Sequence, residues 1–282
     1  MKVDGANVEL FFISDVLKLH SLHYGYWDEP PVVPGAVLSL REIRHAQERY
    51  THNLLQVIPP QVKSVLDVGC GLGDNARAML ARGLQVTALS PDPNHRRYFT
   101  DRPAPTLAFY GSRFEEFNID QVFDLVLMSE SQNYFAADIG LHQARRYLGP
   151  GGYLLIAGMF RKQAAGAFGK IRNVTAEYVD KATRQGFTLV YSRDITPHVL
   201  PTIETLHAIR LQHLEPALAL VQRYLCVEMP LKWKVLRWLF RKQLRTLSRL
   251  QVRYTERTDP ALFVRHVEYL ILLFQLPPVA MA

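Results

Sequence analysis

The sequence predicts an α/β protein whose core is a doubly wound, mostly parallel sheet of seven strands, with a helical insertion before the last strand. Two observations support this prediction. From residue 62 onward, short apolar runs alternate with helical segments, which is typical of strand–helix–strand units that build a parallel sheet. The runs are apolar throughout rather than alternating, as expected for strands covered by helices on both faces.

Each element has its own local signal. Apolar runs bounded by turn residues predict strands at 65–68, 85–89, 106–110, 123–128, 153–159, 187–194 and within 266–276. Helical spacing of apolar residues predicts helices at 41–57, 75–82, 138–147 and 175–185. The last of these stops at Gly186, where a glycine C-cap is expected. Residues 199–258 read mostly as helix.

Composition narrows the class of protein. A chain of 282 residues with 48% hydrophobic and 21% charged residues has room for one large domain, or for one domain with a sizeable insertion. That balance argues against disorder, collagen and fibrous repeats. The longest apolar runs, such as 269–274, are far shorter than the ~20 residues of a membrane helix.

Cysteine use points to the compartment. Cys70 and Cys226 are too few for a disulfide framework, and neither belongs to a readable metal cluster, so no metal is expected. No secretory signal opens the chain, and a cytoplasmic location is therefore expected.

Four regions are predicted. Residues 1–61 form an N-terminal helical and aromatic lid segment, 62–198 the cofactor-binding core, 199–262 a basic helical cap, and 263–282 the strand that completes the core sheet. Within the first region, the proline-rich stretch 28–35 predicts an ordered loop or linker, because proline removes backbone donors that a helix needs.

A glycine-rich turn carries the strongest chemical signal. The predicted strand 65–68, which carries Asp67 next to its end, runs directly into Gly69-Cys70-Gly71-Leu72-Gly73 and then into a helix. Glycines there allow a tight turn and let bare backbone approach a ligand, while the helix start offers free N–H groups. The three glycines alone are shared with nicotinamide-binding folds. Asp67 sharpens the pattern, because a carboxylate at the strand end suits an ammonium group better than a pyrophosphate.

Residues 66–73 resemble the first motif of the class I S-adenosylmethionine-dependent methyltransferases, which have a Rossmann-like fold. Three further segments resemble that family in the right order: 123–127 its fourth strand, 148–154 the turn into its fifth, and Gly186-Phe187 the pair before its sixth. The resemblance implies S-adenosylmethionine as cofactor. It also implies a cofactor site that includes Asp67, Gly69, Cys70, Gly71 and Gly73.

The next strands depart from the family pattern. Where the family usually has a ribose-binding acid after the second strand, this chain has Ser90, and Asp92 supplies a carboxylate two residues later. A Ser-Pro pair here resembles the cyclopropane fatty acid synthase and tocopherol methyltransferase branches. After the third strand, Ser112, Arg113 and Phe114 stand where an adenine-binding carboxylate is common. We expect these three residues near the adenine, with an exposed loop as the alternative.

Two segments are candidates for the acceptor side. Ser129 and Glu130 follow the fourth strand and resemble the acidic segment of C-methylating relatives, where Glu130 could accept a proton or stabilise a cation, or merely cap a helix. The entry segment His23, Tyr24, Tyr26 and Trp27 resembles the aromatic entry of small-molecule methyltransferases. We expect its rings, notably Tyr24 and Trp27, to lie against the sulfonium by cation–π contact, the alternative being a packed lid. His23, Tyr24, Tyr26 and Glu130 are the predicted catalytic residues.

Two polar residues end the sixth predicted strand. Asp194 and His198 could face the acceptor, but a loop role is the more common one for such residues.

Basic charge is concentrated in the helical insertion. Residues 232–257 contain nine Lys and Arg against one acid, a net charge of +8 that exceeds the +7 of the whole chain. The stripe includes Arg237, Arg241, Arg245, Arg249 and Arg253 at four-residue spacing, with Arg257 beyond them. It predicts either peripheral contact with an anionic membrane or acidic group, or a solvated cap face. Nucleic acid is not an expected partner.

Together these features predict a methyltransferase acting on a small or lipid-like acceptor, with carbon preferred over oxygen or nitrogen. One alternative keeps the fold and the cofactor but performs a methylation-coupled cyclisation or rearrangement. Another is a membrane- or partner-binding module with a vestigial cofactor pocket.

Overall fold

The computed structural model describes residues 2–3, 6–29, 38–100, 106–242, 245, 255 and 258–278. Its strands are β1 (Lys2–Val3), β2 (Ala6–Asn7), β3 (Ser64–Val68), β4 (Gln85–Leu89), β5 (Leu107–Tyr110), β6 (Phe123–Ser129), β7 (Leu148–Arg161), β8 (Thr188–Asp194) and β9 (Val267–Gln275). Its α-helices are α1 (Val8–Phe11), α2 (Leu40–Gln56), α3 (Asp74–Ala81), α4 (Arg97–Thr100), α5 (Ala137–Arg146), α6 (Thr175–Arg184), α7 (Thr196–Ile209), α8 (Glu215–Glu228), α9 (Pro230–Leu239) and α10 (Pro260–His266).

One sheet organises the fold. Seven strands lie in the order β5-β4-β3-β6-β7-β9-β8. Neighbours from β5 to β7 are parallel, whereas β9 is antiparallel to both β7 and β8. The chain moves outward from β3 to β5 and then returns to place β6 on the other side of β3. This reversal opens a crevice at the carboxyl ends of β3 and β6, where ligands bind in doubly wound sheets. The predicted mostly parallel α/β fold is confirmed.

Both faces of the central strands are buried. Val65 and Leu125 belong to the core cluster that includes Tyr50 of α2, while Leu66 and Val126 belong to the cluster on the opposite face. Successive residues of a strand point to opposite faces, so a strand buried on both sides must be apolar at every position. The continuous apolar runs that predicted these strands have this origin.

The edge strand β8 differs from that expectation. All seven of its residues are exposed, so helices do not cover it as they cover the centre of the sheet. It lies outermost and pairs only with β9 among the described strands. Strand β9 separates β8 from the buried centre of the sheet, and the apolar residues of β8 did not by themselves predict this exposed edge position.

The helical insertion contains α7, α8 and α9, with a π-helical segment Arg210–Leu214 between the first two. α7 packs on the core through buried residues such as Val199 and Ile203, whereas α8 and α9 bury none of their residues. The predicted basic residues Arg249, Arg253 and Arg257 lie outside the described residues, as does most of the proline-rich stretch, residues 30–37. None of the helices in the described ranges is long and apolar enough to cross a membrane.

Candidate active site

The glycine-rich turn after β3 adopts the predicted backbone. Gly69, Gly71 and Gly73 have φ values of 79°, 53° and 77°, a region that other residues rarely occupy. The three glycines differ, however, in the space that is available for a side chain. A Cβ on Gly69 would lie 2.5 Å from the Cβ of Ser131, and one on Gly73 would lie 2.9 Å from the ring of Phe99.

Of these three turn glycines, only Gly71 has free space beside it. A Cβ added there would lie 3.6 Å from its nearest neighbour, Leu22 Cδ1. Protein atoms fill the space beside Gly69 and Gly73, and the approach of their backbone to a ligand stays a prediction. At those two positions the missing side chain makes room for the protein itself. Ser131 uses that room to donate a hydrogen bond from its Oγ to the Val68 carbonyl at 2.5 Å.

Asp67 lies at the base of this turn and is fully buried. Its Oδ2 accepts no hydrogen bond from the described residues. Burial, with a smaller contribution from the negative charge of Asp74, raises the pKa of Asp67 to about 8. A buried carboxylate without a donor fits the ammonium group of an amino-acid-bearing cofactor, because that cation would both pair with the charge and supply the missing donors.

A second carboxylate stands at the start of α3. Asp74 Oδ2 lies 3.2 Å from Nε2 of His23, which comes from the N-terminal segment. The Nδ1 atom of His23 accepts a hydrogen bond from the Gly25 amide, so the ring proton is placed on Nε2, facing Asp74. Burial opposes ionisation of Asp74, but contacts with His23 and Ser21 outweigh it and lower its pKa. The pair joins the N-terminal segment to the glycine-rich turn.

Glu130 follows β6, the strand that pairs with β3. It has a φ of 61°, an uncommon value for a residue with a side chain, and its amide donates to the Ala157 carbonyl at 2.7 Å. Its carboxylate accepts a hydrogen bond from the phenol of Tyr269 on β9. Such backbone strain is concentrated at functional sites in folded proteins.

Tyr269 belongs to a buried polar network. Its hydroxyl oxygen lies 3.2 Å from that of Tyr50 on α2, which in turn lies 3.2 Å from Oγ of Ser129. Burial raises the pKa of Glu130, while the electrostatic interaction with the His23 side chain and the hydrogen bond from Tyr269 oppose that shift. Burial and the negative charge of Glu130 raise the pKa of Tyr269 well above its usual value, so its phenol remains a donor at neutral pH.

The aromatic entry segment is divided between two roles. The ring of His23 packs on Tyr50 with centroids 3.9 Å apart, and Tyr24 meets the edge of Tyr269 at 6.5 Å. Both residues therefore adjoin the network that holds Glu130.

The other two aromatic residues contact the helices around the site. Tyr26 stacks on His198 at 4.1 Å, and Trp27 donates from Nε1 to Oγ1 of Thr202 at 2.9 Å. These contacts attach the segment to α7. They match the packed-lid alternative for Tyr26 and Trp27, whose contact with a cofactor stays a prediction.

The predicted ribose-side residues sit at the end of β4. Ser90 is buried, and its Oγ lies 2.7 Å from Nδ1 of His95. Asp92 accepts from the Asn94 amide at 3.0 Å and caps the short helical turn Pro93–His95. His95 is thus a residue that the sequence reading did not single out, although it lies five positions after Ser90.

The predicted adenine-side residues follow β5. Phe114 is buried and packs near Phe135 with centroids 5.5 Å apart, whereas Arg113 is exposed. Ser112 donates to the carbonyl of Arg113 at 3.0 Å. Cys70, in the turn after β3, is a buried free thiol whose pKa burial raises. Contacts of these residues with a cofactor remain predictions.

Asp194, the last residue of β8, and His198, in the first turn of α7, have structural partners. Asp194 accepts hydrogen bonds from the amide and hydroxyl of Thr196, at the start of α7. The His198 Nδ1 atom lies 2.8 Å from the Trp27 carbonyl oxygen. Both contacts favour the structural alternative for these residues. Within the described ranges, no group of three or more His, Cys, Asp and Glu side chains is placed to hold a metal ion.

A cavity of about 890 Å³ opens between α2 and α3 on the outer side of this region. Its lining includes Ser21 and Asp74 but neither Asp67 nor Glu130. Since it adjoins the turn without reaching the strand ends that carry the chemistry, we do not assign the acceptor to it.

Three side chains at this site were missed by the sequence reading: Tyr50, Asp74 and Tyr269. Tyr50 lies in a predicted helix and Tyr269 in a predicted strand, and both were counted only as apolar residues of those elements. Asp74 directly follows the glycine-rich turn, and its position at a helix start was the one available signal.

Comparisons with known proteins agree with this architecture. A sequence model of a methyltransferase domain family matches residues 42–167. A 2-methyl-6-phytyl-1,4-hydroquinone methyltransferase from Synechocystis sp. is 27% identical over 148 residues, which are 48% of this chain and 43% of that protein. The aligned region thus spans less than half of that relative.

Solved structures share the fold. The (4+2)-cyclase SpnF has a TM-score of 0.65 with 17% identity, covering 96% of this chain and 94% of its own. Geranyl diphosphate C-methyltransferase from Streptomyces coelicolor, solved with Mg²⁺, geranyl diphosphate and S-adenosyl-L-homocysteine, has a TM-score of 0.64 with 16% identity, covering 93% and 92%. These structures confirm the predicted fold, and the match of residues 42–167 to a methyltransferase domain family agrees with the predicted family and cofactor.

Proposed function

We propose that this protein transfers a methyl group from S-adenosylmethionine to a small or lipid-like acceptor, with carbon as the preferred acceptor atom. The observation that carries the proposal is the buried side chain of Asp67, whose Oδ2 has no donor among the described residues, directly before a glycine-rich turn in which Gly71 has free space beside it. This arrangement suits the ammonium-bearing tail of the cofactor. When bound, the cofactor supplies an electrophilic methyl group on a charged sulfur.

The chain's own residues then bind the cofactor and the acceptor, orient them and exclude water. Methyl transfer is an in-line displacement at carbon, so alignment contributes more than acid–base chemistry when the acceptor is already nucleophilic. In the proposal, Asp67 and the glycine-rich turn hold the cofactor, and the entry segment around His23 and Tyr24 covers it. The His23–Asp74 contact at 3.2 Å keeps that segment in place.

Glu130 is the proposed catalytic group on the acceptor side. A carboxylate whose pKa is raised by burial is a better proton acceptor than an exposed one. The Glu130 carboxylate could remove a proton from a phenol or an activated carbon. It could also stabilise a developing positive charge. Tyr269 is a positioning residue, because its hydrogen bond fixes the orientation of the Glu130 carboxylate.

The preference for carbon rests on two similarities. Ser90-Pro91 and Glu130-Ser131 resemble the C-methylating branch, and the Synechocystis relative is a hydroquinone methyltransferase. A lipid-like acceptor is in keeping with the phytyl group in that relative's name, and the fold neighbour from Streptomyces coelicolor was solved with an isoprenoid diphosphate.

Calorimetry with S-adenosylmethionine and S-adenosylhomocysteine tests the cofactor site directly. We expect both to bind and to raise the melting temperature of the protein. A folded protein that shows neither heat nor thermal stabilisation with either compound would leave only the binding-module alternative. Acceptors are then screened by mass spectrometry, with prenylated phenols, isoprenoids and unsaturated lipids as probes.

A second candidate is cyclisation without net methyl transfer, favoured by the fold shared with the cyclase SpnF. The two reactions differ in mass balance. Methyl transfer adds one methyl group to the product and yields S-adenosylhomocysteine, whereas a cyclisation leaves both the cofactor and the substrate mass unchanged.

A further inference from the structure

The helices α8 and α9 expose an unusual amount of apolar surface. Neither helix buries a residue, and the exposed side chains include Leu220 at 69%, Leu231 at 75% and Trp238 at 70%. Exposed apolar residues are normal when scattered singly, but contiguous patches on soluble proteins mark binding surfaces. We call the exposed side chains of α8, α9 and residues 240–242 the α8–α9 surface.

Basic charge lies beside this apolar surface. Residues 229–245 contain six Lys and Arg and no acidic residue. On α9, Lys234 and Arg237 are three positions apart and share one side, while Leu231, Val235 and Trp238 follow a spacing of four and three along another side. Each of these five side chains is exposed.

This combination has a physical interpretation. A helix with Lys and Arg on one side and Trp and Leu on the other lies in the interface of a bilayer, where apolar groups enter the acyl region and basic groups meet anionic headgroups. The charge also argues against a second copy of the chain as the occupant. A two-fold interface through this surface would bring the same positive charges together.

We propose that the α8–α9 surface is a docking site for an anionic lipid bilayer. The proposal is independent of methyl transfer, since it concerns binding alone. It gives the insertion a role, because α7 connects this surface to the entry segment. Thr202 of α7 accepts from Trp27 Nε1 and donates to the carbonyl of Tyr24 at 2.5 Å. Docking would therefore place the covered side of the site near a membrane.

Vesicle co-sedimentation of the full chain tests the proposal. The probes are vesicles of phosphatidylcholine alone and vesicles of phosphatidylcholine mixed with phosphatidylserine. We expect binding to the mixed vesicles, little binding to the neutral ones, and weaker binding as salt is raised, because salt screens the headgroup charge.

Two double variants separate the charged and apolar contributions. Lys234→Glu/Arg237→Glu should reduce partitioning onto mixed vesicles by about tenfold or more, since each basic residue near an anionic membrane contributes to binding. Leu231→Ser/Trp238→Ser should also reduce binding, and tryptophan emission of the wild type should shift to shorter wavelength when vesicles are added.

Matched controls carry the same changes elsewhere. Lys170→Glu/Arg172→Glu reverses two exposed basic residues after β7, and Val122→Ser/Ile139→Ser removes two exposed apolar residues that do not belong to the α8–α9 surface. Both controls should bind vesicles as the wild type does. Circular dichroism and melting temperatures verify that every variant is folded.

Three outcomes overturn the proposal. The first is no vesicle binding by the folded wild type, and the second is binding that ignores anionic lipid and salt. The third is a dimer in light scattering that Leu231→Ser/Trp238→Ser converts to a monomer, which would assign the α8–α9 surface to a second copy of the chain.

Discussion

Tyr269 donates a hydrogen bond to the carboxylate of Glu130, although the two residues lie 139 positions apart and strand β7 separates their strands in the sheet. The contact is possible because Tyr269 lies near the end of β9 that meets the carboxyl end of β7, where its register partner is Met159. Antiparallel insertion of β9 thus delivers a phenol to the edge where β6 ends.

Replacing Glu130 by Gln should lower kcat with little change in cofactor affinity. Gln keeps the shape but cannot accept a proton, and general acid–base contributions typically amount to ~10²–10⁴-fold. Steady-state kinetics and calorimetry with S-adenosylhomocysteine measure the two quantities. Equal kcat in the variant and the wild type would reduce Glu130 to a structural residue.

Tyr269→Phe should shift the pH dependence of turnover. The hydrogen bond from Tyr269 lowers the pKa of Glu130, so its loss raises that pKa further. If turnover needs the ionised carboxylate, the acidic limb of the kcat profile moves to higher pH. Tyr178→Phe is the matched control, because its buried hydroxyl has no partner among the described residues. The control should leave the profile unchanged, and an unshifted profile for Tyr269→Phe would contradict the positioning role.

Asp67 should release a proton when the cofactor binds near neutral pH. Its pKa of about 8 means that most of the free protein carries a protonated Asp67 at pH 7, whereas an ammonium partner favours the ionised form. Cofactor affinity should therefore increase as pH rises toward 8. Calorimetry in buffers of different ionisation heat should detect up to about one proton released.

Asp67→Asn should abolish that proton release and weaken binding by about 10- to 100-fold, in line with a lost charge-assisted hydrogen bond. The same change should raise the melting temperature of the cofactor-free protein. A group whose folded pKa is raised destabilises the fold as pH rises from its unfolded value toward the folded one, and Asn removes that cost. Asp124→Asn, on the opposite end of β6, is the control and should leave cofactor affinity intact.

Gly69→Ala should destabilise the protein more than Gly71→Ala. Alanine at 69 places its Cβ 2.5 Å from that of Ser131, whereas at 71 the nearest atom is 3.6 Å away. Both carry a backbone cost from positive φ. Melting temperatures rank the variants, and Ser131→Gly should partly restore Gly69→Ala. If Gly71→Ala is instead the less stable variant, the close approach of Ser131 does not limit this turn.

Thr202→Val should lower stability by about 2 kcal/mol, since it removes the acceptor for Trp27 and the donor to Tyr24 and leaves a buried indole N–H unpaired. Chemical denaturation measures the change. Thr183→Val on α6 is the comparison, because that exposed hydroxyl bonds only within its helix. Comparable losses from both substitutions would show that Thr202 does not anchor the entry segment.

Local patterns were sufficient for the elements and for the glycine-rich turn. Strand 85–89 was predicted at its observed limits, and helix 41–57 was displaced by one residue at each end. Burial of a strand on both faces and the 3.6-residue period of a helix both produce local patterns of apolar residues, so the sequence predicts them without knowledge of the fold. Asp67 was readable for the same reason, since its chemistry depends on its place at the end of one strand.

Contacts between distant elements were not readable. Nothing local in residues 8–29 says that His23 meets Asp74 or that Trp27 bonds to Thr202, and Tyr50 and Tyr269 look like ordinary core residues of a helix and a strand. The sequence by itself determined the sheet, the turn and the acidic residue beneath it. Only the tertiary structure decided which side chains surround Glu130, because long-range packing, rather than the order of neighbouring residues, brings strand ends and helix faces together.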